Sequence, residues 1–268
     1  MYNLSNKQIV ICGGANGLGL HFATEFSKMC GSVHILDLFP PPTLLNNNCS
    51  HFICDVSDFD KTQSTFENLL KHHGKIDILV NCIRSQGTPH TASFAPLESK
   101  SWEKGLQINL NTYFNSSSVV CELMKEKQEG CNIINISSIS SSLISSDQPI
   151  DYHCAKAAIT QLTRFLAVKY GPYNIRVNSI SPGLISHHIS EKSSCSPSAS
   201  LYQQRARSIP LRRSGGPQDV MNLVLFLVSD FSSFITGQDI IIDGGLSVCE
   251  QLYLLSSSQK DNPVLNFA

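Results

Sequence analysis

The chain has 268 residues, enough to bury one full hydrophobic core, and its 20 Lys plus Arg stand against 21 Asp plus Glu for a net charge of -1. That balance supplies none of the basic excess that a phosphate backbone demands, so nucleic acid is excluded as a partner. No segment gives eighteen uninterrupted apolar residues, and the first twenty lack a basic start followed by an apolar block, which predicts a soluble, unexported, cytoplasmic protein without a membrane partner.

Short apolar runs alternate with longer helical segments along the chain. Strands are expected at 8–12 (QIVIC), 32–37 (SVHILD), 51–55 (HFICD), 75–81 (KIDILVN), 131–137 (CNIINIS), 174–180 (NIRVNSI) and 239–243 (DIIID). Continuous apolar runs of this length suit strands covered on both faces. Helices are expected at 17–30, 58–73, 99–127, 152–170 and 217–229, each long enough for a crossover. Alternation of the two predicts an α/β fold: a doubly wound, seven-stranded parallel sheet of the Rossmann type with helices on both faces. Pro40, Pro41 and Pro42 follow the second strand, Gly74 separates a helix from the fourth, and Pro217 opens the last helix. Residues 184–208 carry eight serines and weak patterning; a loop of that length inside a compact domain reads as a lid over a substrate site. Residues 1–250 are read as one domain and 251–268 as a tail. Ten cysteines (12, 30, 49, 54, 82, 121, 131, 154, 195 and 249) are scattered singly, with no CxxC pair and no Cys/His metal spacing, so reduced thiols are expected and a metal is not.

The first strand runs straight into CGGANGLG (12–19) and then a helix. Glycine there lets the backbone approach a pyrophosphate whose charge meets the free N–H groups of the helix N-terminus. Asp37 follows at the end of the second strand, eighteen positions past Gly19. A carboxylate in that place accepts hydrogen bonds from ribose hydroxyls and repels a 2′-phosphate, which points to NAD over NADP. Further on, DYHCAK places Tyr152 and Lys156 four residues apart on one helical face. Taken alone, that spacing fits a surface pair equally well.

Together these motifs resemble the short-chain dehydrogenase/reductase family from about residue 7 to about 248. Gly13, Gly17 and Gly19 fit its TGxxxGxG loop, with Cys12 in place of threonine; Asp55 in CDVSD matches its adenine-contacting acid; Pro182 and Gly183 match its PG; ITGQ (235–238) and DGG (243–245) match its C-terminal signature. The resemblance implies a catalytic tetrad of Asn109, Ser138, Tyr152 and Lys156; Ser137 is the adjacent candidate for the serine, and the gap from Ser138 to Tyr152 is one longer than usual. It further implies cofactor contacts from Gly13, Asn16, Gly17, Leu18, Gly19, Asp37, Asp55, Val56, Asn81, Tyr152, Lys156, Pro182, Gly183 and Ile185. A phenol with a pKa near 10 is a poor base at neutral pH, and a lysine cation one turn away, together with the nicotinamide charge, lowers it. Tyr152 is then the acid/base in hydride transfer between NAD(H) and a secondary alcohol or ketone. Ser138 holds the reacting oxygen, and Asn109 sits in a kinked turn that holds a relay water.

Two places depart from the family pattern. Its NNAG reads Asn81, Cys82, Ile83 and Arg84, and the threonine expected soon after PG is replaced by a segment containing His187. Arg84 either crowds the cofactor, adds charge to the site or swings out to solvent. Candidate substrate contacts (Ser85, Gln86, His90, Ser140, the 143–150 loop, His187, His188, Arg205 and Arg207) form a polar, partly basic set that leans toward a small hydroxylated or acidic molecule. The departures also allow an alternative, a nucleotide-binding regulatory protein of the same fold with little turnover. Family members commonly form dimers through the helices corresponding to 99–127 and 152–170, and tetramers through the last helix and strand, so a homo-oligomer, up to a homotetramer, is expected.

Overall fold

The computed structural model describes residues 4–29, 31–42, 45–84, 98–145, 148–186 and 205–250. Seven parallel strands form one sheet: β1 (Gln8–Cys12), β2 (Ser32–Asp37), β3 (Cys49–Ile53), β4 (Ile78–Asn81), β5 (Cys131–Ile136), β6 (Ile175–Pro182) and β7 (Asp239–Ile242). Their order is β3-β2-β1-β4-β5-β6-β7, so the winding reverses between β1 and β4 and opens a crevice at the carboxyl ends of those strands. The doubly wound sheet expected from the alternating pattern is therefore present.

Helices α1 (Gly17–Lys28) and α6 (Pro217–Val228) cover one face, while α2 (Phe59–His73), α4 (Thr112–Lys127) and α5 (Ile150–Tyr170) cover the other. Because alternate residues of a strand point to opposite faces, β1 sends Ile9 and Ile11 against Phe22 and Phe26 of α1, and Val10 into the layer that holds Phe66 and Val120. Local chemistry sets the ends of these elements. Asp58 caps α2 by accepting the Lys61 N–H at 3.1 Å, and Gly74, with φ of +81°, stops it. Pro217 occupies the first turn of α6, where Asp219 accepts the Gly216 N–H at 2.8 Å.

Three expectations shift. The third strand lies at Cys49–Ile53, two residues before HFICD, because Cys54 turns under the sheet into the buried layer after pairing has ended. The fourth starts at Ile78, since the Asp77 carboxylate is occupied with the Gln8 N–H at 2.8 Å and with the ammonium groups of Lys7 and Lys75, each at 3.0 Å. The expected single helix over 99–127 is three pieces: α3 (Ser99–Leu106), a π turn over Gln107–Asn111, and α4. All eight described cysteines are free, no group of described residues could hold a metal ion, and no described helix is long and apolar enough to cross a membrane.

A buried polar network ties the carboxyl ends of β4 and β5 to the helices behind them. Asn81 and Asn135 are register partners, and the Asn81 amide donates to Asn135 Oδ1 and Ser117 Oγ, both at 2.9 Å. Ser116 donates to Asn81 Oδ1 at 2.7 Å, and Asn135 reaches Thr163 of α5 at 3.0 Å. Each amide is satisfied, as burial requires.

Candidate active site

The glycine loop leaves β1 at Cys12, and its conformation is one a side chain would obstruct. Gly13 has φ of +81°, donates its N–H to the Leu36 carbonyl at 2.8 Å, and lies so close to β4 that a Cβ would stand 2.8 Å from the Cys82 carbonyl oxygen. A Cβ on Gly19 would overlap the Gly13 carbonyl, so the loop closes tightly onto the first turn of α1. Asn16 caps α1, its Oδ1 accepting the Gly17 N–H at 2.7 Å, and Leu18 packs inward against the core. No acidic residue stands in the first turn of α1, which leaves the positive end of the helix for an anion.

Asp37, half-buried at the end of β2, accepts the Ala15 N–H at 3.0 Å, so the carboxylate sits beside the loop. Asp55 turns back on itself, accepting the N–H and hydroxyl of Ser57 at 3.0 and 2.7 Å, next to buried Val56. The Asn81 side chain is wholly engaged in the buried network at the end of β4. Pro182 ends β6; Gly183 donates to Ile242 at 3.0 Å, and Ile185 pairs with Gly215. These residues all lie along the carboxyl edge of the sheet.

Of the expected tetrad, Asn109 lies in the π turn, Ser138 just past β5, and Tyr152 and Lys156 on α5. Lys156, one turn after Tyr152 in α5, is almost fully buried, with Nζ 5.5 Å from the Tyr152 ring centre. It donates to the Ile136 carbonyl at 2.9 Å and to the Tyr113 hydroxyl at 3.1 Å. Burial pulls its pKa down from 10.5 to about 7; the neighbouring Cys82 opposes that fall and the Arg84 charge adds to it. Ser137 and Ser138 differ: buried Ser137 donates to the Lys156 carbonyl at 3.0 Å, whereas half-buried Ser138 accepts the Ser140 N–H at 3.1 Å and keeps its own proton to donate. Asn109 is buried in the π turn and hydrogen-bonds Asp151, the residue before Tyr152, whose carboxyl is pushed up chiefly by burial.

Two residues gain weight from the geometry. Tyr113 lies one turn past Asn109, fully buried, with its hydroxyl 2.9 Å from both the Ile83 and Ile136 carbonyls and its ring 4.6 Å from Lys156 Nζ. Burial raises its pKa well above 10, so it stays a neutral phenol. The sequence signal was the four-residue spacing from Asn109, masked because an aromatic in an apolar helix reads as core. Arg84 stands over the Tyr152 ring, its guanidinium carbon 5.4 Å from the centre, with Nη2 3.2 Å from Gln148 Oε1. Of the substrate candidates, Ser140 is buried and its carbonyl faces His153 Nδ1 at 2.9 Å. Arg205 and Arg207 lie in the described end of the lid segment, while Ser85, Gln86, His90, His187, His188, most of the lid and the 251–268 tail lie outside the described residues.

The sequence model of the family described as enoyl-(acyl carrier protein) reductase matches residues 13–247, nearly the whole span from glycine loop to DGG. The chain belongs to the short-chain dehydrogenase/reductase family. This membership makes it one of a family of Rossmann-fold oxidoreductases. The "oxidoreductase UcpA" of Salmonella typhimurium is 30% identical over 263 residues, covering 94% of this chain and 98% of that protein. An "NAD-dependent glycerol dehydrogenase" of Listeria innocua is 31% identical over 252 residues, covering 92% and 96%. Among solved structures, a short-chain dehydrogenase of Leptospira borgpetersenii with bound NAD+ superposes with a TM-score of 0.82 at 30% identity, covering 91% of this chain and 94% of that one.

Proposed function

We infer that this short-chain dehydrogenase/reductase moves a hydride between NAD(H) and a secondary alcohol or ketone of a small polar substrate, with Tyr152 as general acid/base. The observation that carries the reading is the Lys156 ammonium, buried between Tyr113 and the Ile136 carbonyl and one turn behind the Tyr152 ring. A cation so placed favours the phenolate of Tyr152 over the phenol. In the oxidising direction Tyr152 takes the carbinol proton; in the reducing direction it returns a proton to the carbonyl oxygen. Ser138 donates a hydrogen bond to that oxygen and holds it in line. Asn109, through Asp151, fixes the start of the helix that carries Tyr152. Bound NAD supplies the hydride acceptor and a further positive charge.

The cradle suits that cofactor. The Gly13–Gly19 loop and the uncharged first turn of α1 would hold its pyrophosphate, with Asn16, Gly17 and Leu18 around it. Asp37 would take the adenosine ribose, Asp55 and Val56 the adenine, Asn81 the path past β4, and Pro182, Gly183 and Ile185 the nicotinamide end. The Asp37 carboxylate supports NAD over NADP. The NAD-bound Leptospira structure and the Listeria relative, NAD-dependent by name, lend weight to the same choice. Exposed Phe165 and Val168 on α5, and Phe231, Phe234 and Ile241 near β7, support a homo-oligomer built on those faces. Free thiols suit a cytoplasmic protein.

The test is turnover of purified protein with NAD and panels of polyols, sugars and hydroxy acids, beside Tyr152→Phe. Expected is a loss of at least about 100-fold in kcat for the variant with NAD binding retained; full activity would sink the acid/base assignment, and dinucleotide binding without any turnover would favour the regulatory alternative. For the cofactor, Asp37→Ser should weaken NAD and admit NADP, and tighter wild-type binding of NADP would overturn the choice.

A further inference from the structure

Arg84 occupies the place where the family's loop after β4 carries glycine, and the chain brings it against the residue that would do the chemistry. Its guanidinium carbon lies 5.4 Å from the centre of the Tyr152 ring, and the residue is exposed. One N–H reaches Gln148 Oε1 at 3.2 Å, across the mouth of the site. A guanidinium carries five N–H donors in a planar fork, so a hydrogen bond to one amide oxygen leaves the shape that matches a carboxylate.

The electrostatics point the same way. Two cations, Arg84 and Lys156, flank the Tyr152 ring, at 5.4 and 5.5 Å from its centre. Their repulsion is felt at Lys156, where the Arg84 charge adds to the effect of burial. The acid next to Tyr152, Asp151, is turned away from them, toward α3 and the π turn, against Gly105 and Asn109. Arg84 is exposed, so its guanidinium stands solvated beside Tyr152, where an anionic substrate group can pair with it.

We propose that Arg84 is an anion-recognition residue and that the substrate is a small hydroxy or oxo acid, whose carboxylate pairs with the guanidinium while its carbinol or carbonyl oxygen meets Tyr152. This deepens the function inferred above and rests on Tyr152 as the reacting acid/base. The hydrogen bond to Gln148 positions the fork before the substrate arrives, and the carboxylate fixes which carbon of the substrate faces the nicotinamide.

The experiment compares lactate, 3-hydroxybutyrate and gluconate, each beside its own primary amide, which keeps the shape and removes the charge. Wild-type protein, Arg84→Gln and Arg84→Lys are assayed with NAD, and the folding of each is checked by thermal melting. The ratio of kcat/KM for acid over amide should be about tenfold or more for at least one pair in the wild type. It should fall by about 10- to 100-fold in Arg84→Gln, and by less in Arg84→Lys, which keeps the charge without the fork. A wild-type ratio near one for every pair, or a ratio that Arg84→Gln leaves unchanged, overturns the proposal. If acid and amide fall together with a shifted pH profile, Arg84 serves the Tyr152 phenolate instead. Binding of the three acids and amides, measured calorimetrically with NADH-loaded and nucleotide-free protein, separates the two levels of inference. Absence of NADH binding counts against the oxidoreductase reading, while Arg84 is judged in either state by whether Arg84→Gln abolishes the preference for the acid.

Discussion

Replacing Tyr113 with phenylalanine removes one oxygen from behind the active-site lysine and nothing from the substrate side. In the wild type that oxygen accepts from Lys156 Nζ at 3.1 Å and shares its single proton between the Ile83 and Ile136 carbonyls, each 2.9 Å away. A hydrogen bond to a charged group contributes about 1.5–3 kcal/mol, and its loss falls on the ammonium form of Lys156. At 1.36 kcal/mol per pKa unit, the lysine should drop by about one to two units below its value of about 7, and so be mostly neutral at pH 7. A neutral lysine no longer favours the Tyr152 phenolate, so the acid limb of the kcat/KM profile for alcohol oxidation should move to higher pH by about one unit. The rate at pH 7 should fall about tenfold. Ile83 keeps a carbonyl without its phenol donor, and thermal melting should show a loss of about 1–2 kcal/mol. The assay is a pH series of initial rates from 6 to 10 for both proteins, with NAD affinity measured alongside. A variant that melts earlier and yet keeps the wild-type pH profile would refute the reasoning and leave Tyr113 a core residue only.

Lys156→Met should show the same charge from the stability side. The native pKa of about 7 lies below the unfolded value near 10.5, so the wild type gains stability as pH rises from about 7 to 10.5 and loses it on the way down; urea titrations should find that the variant lacks this dependence. His34, buried between Ser50 and Gln8 and 4.3 Å from the His73 ring, has its pKa lowered from 6.5 to about 4, mainly by burial and then by His73. Its contribution is present above pH 6.5 and is lost as pH falls toward 4, on the order of 3 kcal/mol in all, and His34→Gln should flatten that part of the stability profile. Gly19→Ala would drive a methyl group into the Gly13 carbonyl, so it should cost about 1–3 kcal/mol and weaken NAD binding measured by fluorescence; unchanged NAD affinity would show that the loop does not hold the nucleotide.

The strands buried on both faces were legible because burial writes itself as uninterrupted apolar sequence: β1, β2 and the core of β5 and β6 lie where those runs place them. The edge strand β3 was displaced by two residues because only its neighbour on one side covers it; Ile53 is exposed while Cys54, past its end, is buried. The π turn could not be read from periodicity, since Ile108 and Leu110 continue an apolar pattern across it. Ser137 and Ser138 are adjacent hydroxyls whose burial and hydrogen-bond roles depend on the twist at the end of β5, which the sequence does not display. Arg84 was visible as a departure, but its partner was not: residue 152 lies 68 positions away, and no local pattern carries a distance through space.

The paired amides of Asn81 and Asn135 act as a vernier between two strands. Arg84 leaves β4 three residues past Asn81, and Ser138 leaves β5 three residues past Asn135, so the register that matches the amides also brings these two exits level. A slip of one residue would turn one amide to the opposite face of the sheet and strand its partner without hydrogen bonds, at several kcal/mol. The alignment of the crevice walls is thus graduated in the core, several ångströms below the surface where chemistry would occur, and swapping surface side chains at the mouth leaves the scale unmoved.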